Sequence, residues 1–284
     1  MVESLRVILE GNIDYAGLFP PAALPLEEAV SEYTQLLQGP HAWMVGPFVC
    51  PVAWLADLAP LLMPRLGQPW TISALGTSIE GFRQDMSLIE RFHDVAGERG
   101  EVMGYEVKGT LSDMSGSALR RLEESELDVY IEIPWRSELA DSLAPLVDTS
   151  IGAKARTGGL EASMFPSNEE VAAFIHECCS LDVHFKLTAG LHHPFPTKDP
   201  ATGARMHGFL NVQVASVLAN SLDLSRAELT SILAADDPTA FQFQDRGFRF
   251  GEWEVSLGEL FGFHWGSCSV QEPIEDLTEA KLFP

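Results

Sequence analysis

Short apolar runs alternate with helix-like segments along most of this chain, and that alternation limits its fold more than any other feature. The strand candidates are LRVILEG (5–11), WMVGPFVC (43–50), WTISALG (70–76), EVMGYEVKG (101–109), LDVYIEIPW (127–135), SIGAKARTG (150–158), DVHFKLTAG (182–190) and GFHWGSCS (262–269). Between most of them lie segments such as PLEEAVSEYTQLL, ALRRLEESE and SNEEVAAFIHECC, whose apolar residues recur every three to four positions. Ser167 with Glu170 has the spacing of a capping box at the start of the last of these. Strands joined through helices pair in parallel. Eight such units in 284 residues predict one α/β domain over 1–284, a (β/α)8 TIM-barrel-like fold. A doubly wound α/β sheet is the alternative. One long gap, Leu191 to Phe261, interrupts the pattern and predicts an insertion at about 195–260 before the last strand. It holds two helix-like stretches, HGFLNVQVASVLANSL and SRAELTSILAA, followed by the aromatic-rich FQFQDRGFRFGEWEV. A lid and a homo-oligomer contact are the two roles open to it.

Side chains alternate across a strand, and four consecutive candidates share one design. One face carries Gly104, Glu106 and Lys108; then Asp128, Tyr130 and Glu132; then Gly152, Lys154 and Arg156; then His184, Lys186 and Thr188. The opposite faces are apolar. An antiparallel sheet with one wetted face would also show this, but the intervening helices call for parallel strands whose outer faces are covered. The charged faces then point into the barrel, where a charge is costly unless it is paired or belongs to a site. Sites in such barrels lie at the C-terminal strand ends, where Glu132, Lys154, Arg156 and Lys186 fall.

The chain has five lysines, and three of them (Lys108, Lys154, Lys186) sit on these faces. It has 41 acidic residues and a formal net charge of -23, which argues against nucleic acid or an anionic membrane as partners. The uncharged stretch from Thr34 to Ala56 is broken by Gly39, Pro40, Pro47 and Pro51, so a loop and a buried strand are expected there, not a membrane helix. The start, MVESLRVILEGNIDYAG, lacks the basic and apolar regions of a signal peptide. Cys50, Cys178, Cys179 and Cys268 fit neither a zinc motif nor a disulfide framework. Reduced, mostly buried thiols in a cytoplasmic protein are expected.

A lysine with a lowered pKa is a nucleophile, and neighbouring cations and partial burial both lower it. Lys154 has Arg156 on its own strand and Lys186 on the next. This set predicts a Schiff base at Lys154, with Glu132 or Asp128 moving protons and Arg156 holding an oxygen anion. Lys154 followed by Thr157 and Gly158, then FKLTAG some thirty residues on, then FHWGSCSVQEPIEDL, resembles the last three strands of deoxyribose-phosphate aldolase, a class I aldolase with a (β/α)8 barrel. The likeness covers roughly residues 125–190 and 261–280. It implies that Lys154 is the Schiff-base lysine, that Lys186 tunes it, and that Gly266, Ser267 and Ser269 form a phosphate loop. Asp128 is similar to the family's catalytic aspartate but stands closer to the lysine strand. Arg156 replaces a small polar residue, and the insertion is foreign to a compact aldolase. Glu272, Glu275 and Asp276 suit the helix dipole after that loop but oppose a phosphate there.

His192 and His193 follow the seventh strand in GLHHPFP and extend the candidate substrate site. One of them, with Glu132, His207 or Glu10, would also suit a metal. The expected arrangement has neither metal nor cofactor, and there is no P-loop or dinucleotide fingerprint. Three functions therefore stand. The first is a Schiff-base aldolase or lyase acting on a small anionic carbonyl compound. The second is a metal-assisted hydrolase, lyase or isomerase at the same mouth. The third is a barrel that binds a ligand without catalysis, its charges paired internally.

Overall fold

Every strand of the central sheet has two hydrogen-bonded neighbours, so the sheet closes into a barrel. The computed structural model describes residues 1–62 and 68–283. Its first seven strands are β1 (Ile13–Tyr15), β2 (Val45–Pro51), β3 (Trp70–Leu75), β4 (Gly100–Lys108), β5 (Asp128–Glu132), β6 (Gly152–Arg156) and β7 (Phe185–Thr188). A small hairpin, β8 (Thr197–Lys198) and β9 (Arg205–Met206), follows, and then a three-stranded antiparallel sheet, β10 (Phe241–Gln244), β11 (Gly247–Phe250) and β12 (Trp253–Ser256). The eighth barrel strand is β13 (Trp265–Ser267), which pairs in parallel with both β7 and β1. This closure rules out the open doubly wound sheet.

The helices are α1 (Glu3–Leu9), α2 (Leu26–Gln38), α3 (Leu55–Leu62), α4 (Phe82–Ala96), α5 (Gly116–Glu123), α6 (Leu139–Leu143), α7 (Asn168–Ser180), α8 (Phe209–Ser221), α9 (Arg226–Ala234) and α10 (Gln271–Glu279). The Ser167–Glu170 capping box opens α7 with both reciprocal bonds in place. The outward strand residues Val129, Ile131, Ala153, Ala155, Phe185 and Leu187 are buried in the apolar layer between sheet and helices. Among the described residues no helix is long and apolar enough to cross a membrane. The four cysteines are free thiols, and burial pushes Cys50 up to about 12.

The first expected strand is the one misplaced element. Residues 5–11 are mostly helix α1, and β1 begins only at Ile13. The buried residues of α1 are Ser4, Leu5, Ile8 and Leu9, which recur at helical spacing. An apolar run this short satisfies both patterns, and the helix prevails because Leu5, Ile8 and Leu9 then share one buried face.

The two helices of the insertion pack against α7, and its three-stranded sheet packs against α1. Helix α8 is buried along most of its length and takes the place of the seventh barrel helix. Phe209 stacks on Trp265 at 5.0 Å, and the Gln213 side chain pairs with both backbone groups of Phe263. The three-stranded sheet lies against α1. Gln244 donates its backbone N–H to the Ser4 hydroxyl at 2.9 Å, and Glu3 donates to Asp245. Because α1 leads into the start of β1, this sheet covers the end of the barrel where the strands begin.

Candidate active site

The inward residues of β4, β5, β6, β7 and β1 form a column of alternating charge through the barrel. Lys108 at the mouth lies 3.5 Å from Glu132, which lies 3.4 Å from Lys154. Lys154 ends on Glu106 at 2.7 Å, and Glu106 also receives Lys186 at 2.5 Å. Lys186 donates in turn to Asp14, whose other oxygen meets His264 Nδ1 at 2.8 Å. The backbone register explains the order. Lys108, Glu132, Lys154 and Lys186 are successive partners across β4, β5, β6 and β7. Following hydrogen-bond partners around a tilted barrel also moves along its axis, so this row descends from the mouth toward the opposite end. His264 precedes β13 at the bottom.

Glu106 is the centre of the column. It accepts both lysines and the Ser73 hydroxyl, which donates at 2.7 Å. Burial alone would raise its pKa, but the two ammonium groups outweigh burial and hold it well below the usual carboxylate range. Burial likewise favours a neutral Lys186, but Asp14 and Glu106 outweigh it and raise that pKa. Lys186 therefore stays an ammonium, and its Nζ lies 5.7 Å from the Tyr130 ring centroid. Gly46 makes room for Asp14, since a Cβ there would stand 2.7 Å from its Oδ1.

The upper part of the site is looser and reaches solvent at its rim, with the Lys154 side chain itself buried. The Lys108 side chain is 76% exposed and that of Glu132 12%. Arg156 ends β6 two residues beyond Lys154 and is exposed, with no hydrogen bond or ion pair among the described residues. Lys154 and Lys186 lie on the sixth and seventh barrel strands, and Gly266 and Ser267 on the eighth.

Other expected site residues are used differently. Asp128 is the first residue of β5, at the opposite strand end from Glu132, and is exposed. It sits toward His264, away from the mouth, because three residues of extended strand separate it from Glu132. The Thr157 hydroxyl donates to the Ala189 carbonyl at 2.7 Å. Gly158 packs on Gly190 so closely that a Cβ would lie 2.8 Å from its Cα. His192 lies 3.3 Å from Glu272, and His193 lies 2.5 Å from Asp276. These imidazoles tie the seventh-strand loop to α10, and burial lowers the pKa of His192 despite Glu272. The Ser267 hydroxyl donates to the Ser269 carbonyl at 2.6 Å, while Ser269 Oγ accepts the Glu272 N–H at 3.2 Å. Gly266 faces Thr188, whose Oγ1 would lie 2.6 Å from a Cβ.

His207 is buried on the Pro166 carbonyl, and Glu10 pairs with Arg6 beside α1, so neither joins His192. Among the described residues, no three His, Cys, Asp or Glu side chains converge as a metal-binding group. Asp14, which the sequence offers as a residue reaching the mouth along with Glu10 and Tyr15, is instead the buried counter-ion of Lys186, and His264 beneath it carries no such signal. With the first strand placed at 5–11, Asp14 fell into a loop. Read as NIDY, alternation puts it on the inner face. Comparison with protein-family models, curated proteins and solved structures returned no match to this chain.

Proposed function

We propose that this protein is a Schiff-base-forming lyase of the aldolase type, acting on a small anionic carbonyl compound with Lys154 as the reacting amine. The observation that supports it is the position of Lys154 between two unlike carboxylates. Glu106 is saturated by two lysines and a hydroxyl and stays ionised. Glu132 reaches the mouth, with the exposed Lys108 as its other partner. A proton leaving Lys154 thus goes to Glu132. The neutral amine adds to the substrate carbonyl carbon, and the carbinolamine then loses water with the proton that Glu132 returns. One ammonium and one carbonyl become one protonated iminium and one water, and Glu132 ends as a carboxylate. Lys186 keeps its charge beneath the site, while Lys108 and Arg156 supply a cationic rim in an otherwise acidic protein. A cytoplasmic location belongs to the same proposal, supported by the four unpaired thiols.

A second reading has its own observation. Both lysines end on carboxylates, as in a barrel whose charges are neutralised internally and which binds a ligand without turnover. Borohydride reduction in the presence of a panel of aldehydes and 2-oxo acids, followed by peptide mass spectrometry, separates the two. The lyase reading expects a stable adduct on Lys154 that is absent from Lys154→Met. Absence of an adduct with every carbonyl, or an adduct that survives in Lys154→Met, overturns it.

A further inference from the structure

The mouth offers two places for the anionic part of a substrate, and only one presents an exposed cation without a counter-ion among the described residues. The loop after β13 is crowded and faces a carboxylate. The Ser267 hydroxyl is spent on the Ser269 carbonyl, Ser269 Oγ already caps the Glu272 N–H, and Thr188 fills the space beside Gly266. Glu272 stands in the first turn of α10, where it already answers the helix dipole and repels a second anion. Arg156, across the mouth, has an unengaged guanidinium.

Distance narrows the chemistry further. Arg156 and Lys154 are two residues apart on one face of β6, so their Cα atoms are separated by roughly 6.5 Å. A carbonyl carbon meeting Lys154 therefore has its nearest anion site only a few bonds away. A 2-oxo acid places carbonyl and carboxylate on adjacent carbons, whereas a sugar phosphate carries its charge at the far end of the molecule. The planar fork of arginine also matches a carboxylate through two parallel hydrogen bonds. Lys108, drawn toward Glu132, offers a single charge.

We propose that the substrate is a 2-oxo acid, its carboxylate held by Arg156 while its keto carbon forms the iminium with Lys154. This rests on the Schiff-base reading and names its substrate class. The first assay is borohydride trapping with pyruvate, acetaldehyde and glyceraldehyde 3-phosphate at equal concentration. The expected result is a Lys154 adduct formed most efficiently with pyruvate. In Arg156→Gln, and to a smaller degree in Arg156→Lys, the pyruvate advantage falls by roughly tenfold to hundredfold, the range for losing a hydrogen bond to a charged group. Circular dichroism checks that these exposed-site variants fold. Trapping that is equal or better with either aldehyde overturns the 2-oxo acid and leaves the lyase standing. If no carbonyl traps, the lyase falls, and calorimetry with pyruvate decides the carboxylate site. Binding to the wild type that is lost in Arg156→Gln upholds the site; no binding overturns it too.

Discussion

Lys154 and Lys186 are register partners on neighbouring strands, and each ends on two carboxylates, yet they occupy unlike halves of one column. The lower half, Glu106, Lys186, Asp14 and His264, has contacts of 2.8 Å or less. The upper half loosens to 3.4 and 3.5 Å as it reaches solvent through Glu132 and Lys108. A charge with several short, buried partners cannot change protonation without disturbing them all. One with a partner open to solvent can. The same residue types therefore serve as scaffold below and as chemistry above.

The strongest challenge to that contrast is Lys186→Met. Methionine fills similar space but leaves Asp14 buried without its ammonium and Glu106 with half its compensation. Breaking a buried pair by removing one partner costs about 3–5 kcal/mol, and Lys186→Met is expected at the upper end. Urea unfolding at neutral pH measures it. A loss below about 1 kcal/mol would show that the lower half is not the scaffold.

Lys154→Met sharpens the same contrast from the other side. Glu106 keeps Lys186 and Ser73, and Glu132 keeps Lys108 and partial solvent access. The expected loss is about 1–3 kcal/mol, smaller than for Lys186→Met, in a folded protein with no borohydride adduct. Unfolding curves of the two variants, measured side by side, test the ranking. A reversed order would move the scaffold role to Lys154.

The legible and illegible parts of this arrangement divide on physical grounds. The inward faces of β4 to β7 could be read because alternation forces Glu106, Lys108, Glu132, Lys154 and Lys186 onto one side once helices cover the other. The closed barrel followed from the same alternation. The partners across the barrel axis could not be read that way. Asp14 and Lys186 are 172 positions apart, and their meeting depends on closure, on the depth of each strand and on the space at Gly46. Asp128 shows the converse error. It shares a face with Glu132, but alternation gives the face and not the height, and the strand ends decide which mouth a residue serves. The role of the insertion stayed open between a lid and an oligomer contact because composition cannot tell which end of a barrel an aromatic sheet covers.

His264 gives the finest test, because it caps the scaffold half where the column meets solvent again. Its side chain is 42% exposed. Burial would lower its pKa from the ordinary 6.5, but the hydrogen bond and charge of Asp14 outweigh burial and raise it. Among the charges facing it, Asp128 adds to the rise and Lys186 opposes it. A group whose folded pKa is raised contributes stability that is fully present below its unfolded value and is lost as pH climbs through the folded one. Glu106 and Lys186 titrate outside that window. The Glu106 contribution fades only as pH falls below 4.5, and that of Lys186 only as pH rises above 10.5. His264→Gln can still donate a hydrogen bond to Asp14 but cannot take up a proton. The wild type should therefore exceed the variant by a margin that is largest in mild acid and shrinks above pH 6.5. Solvent screening keeps that margin below about 1 kcal/mol. Paired urea titrations from about pH 5 to about pH 9 read it directly. A margin that is flat, or that grows with pH, would mean that His264 is not charged by Asp14, and the alternation of charge would end at the carboxylate.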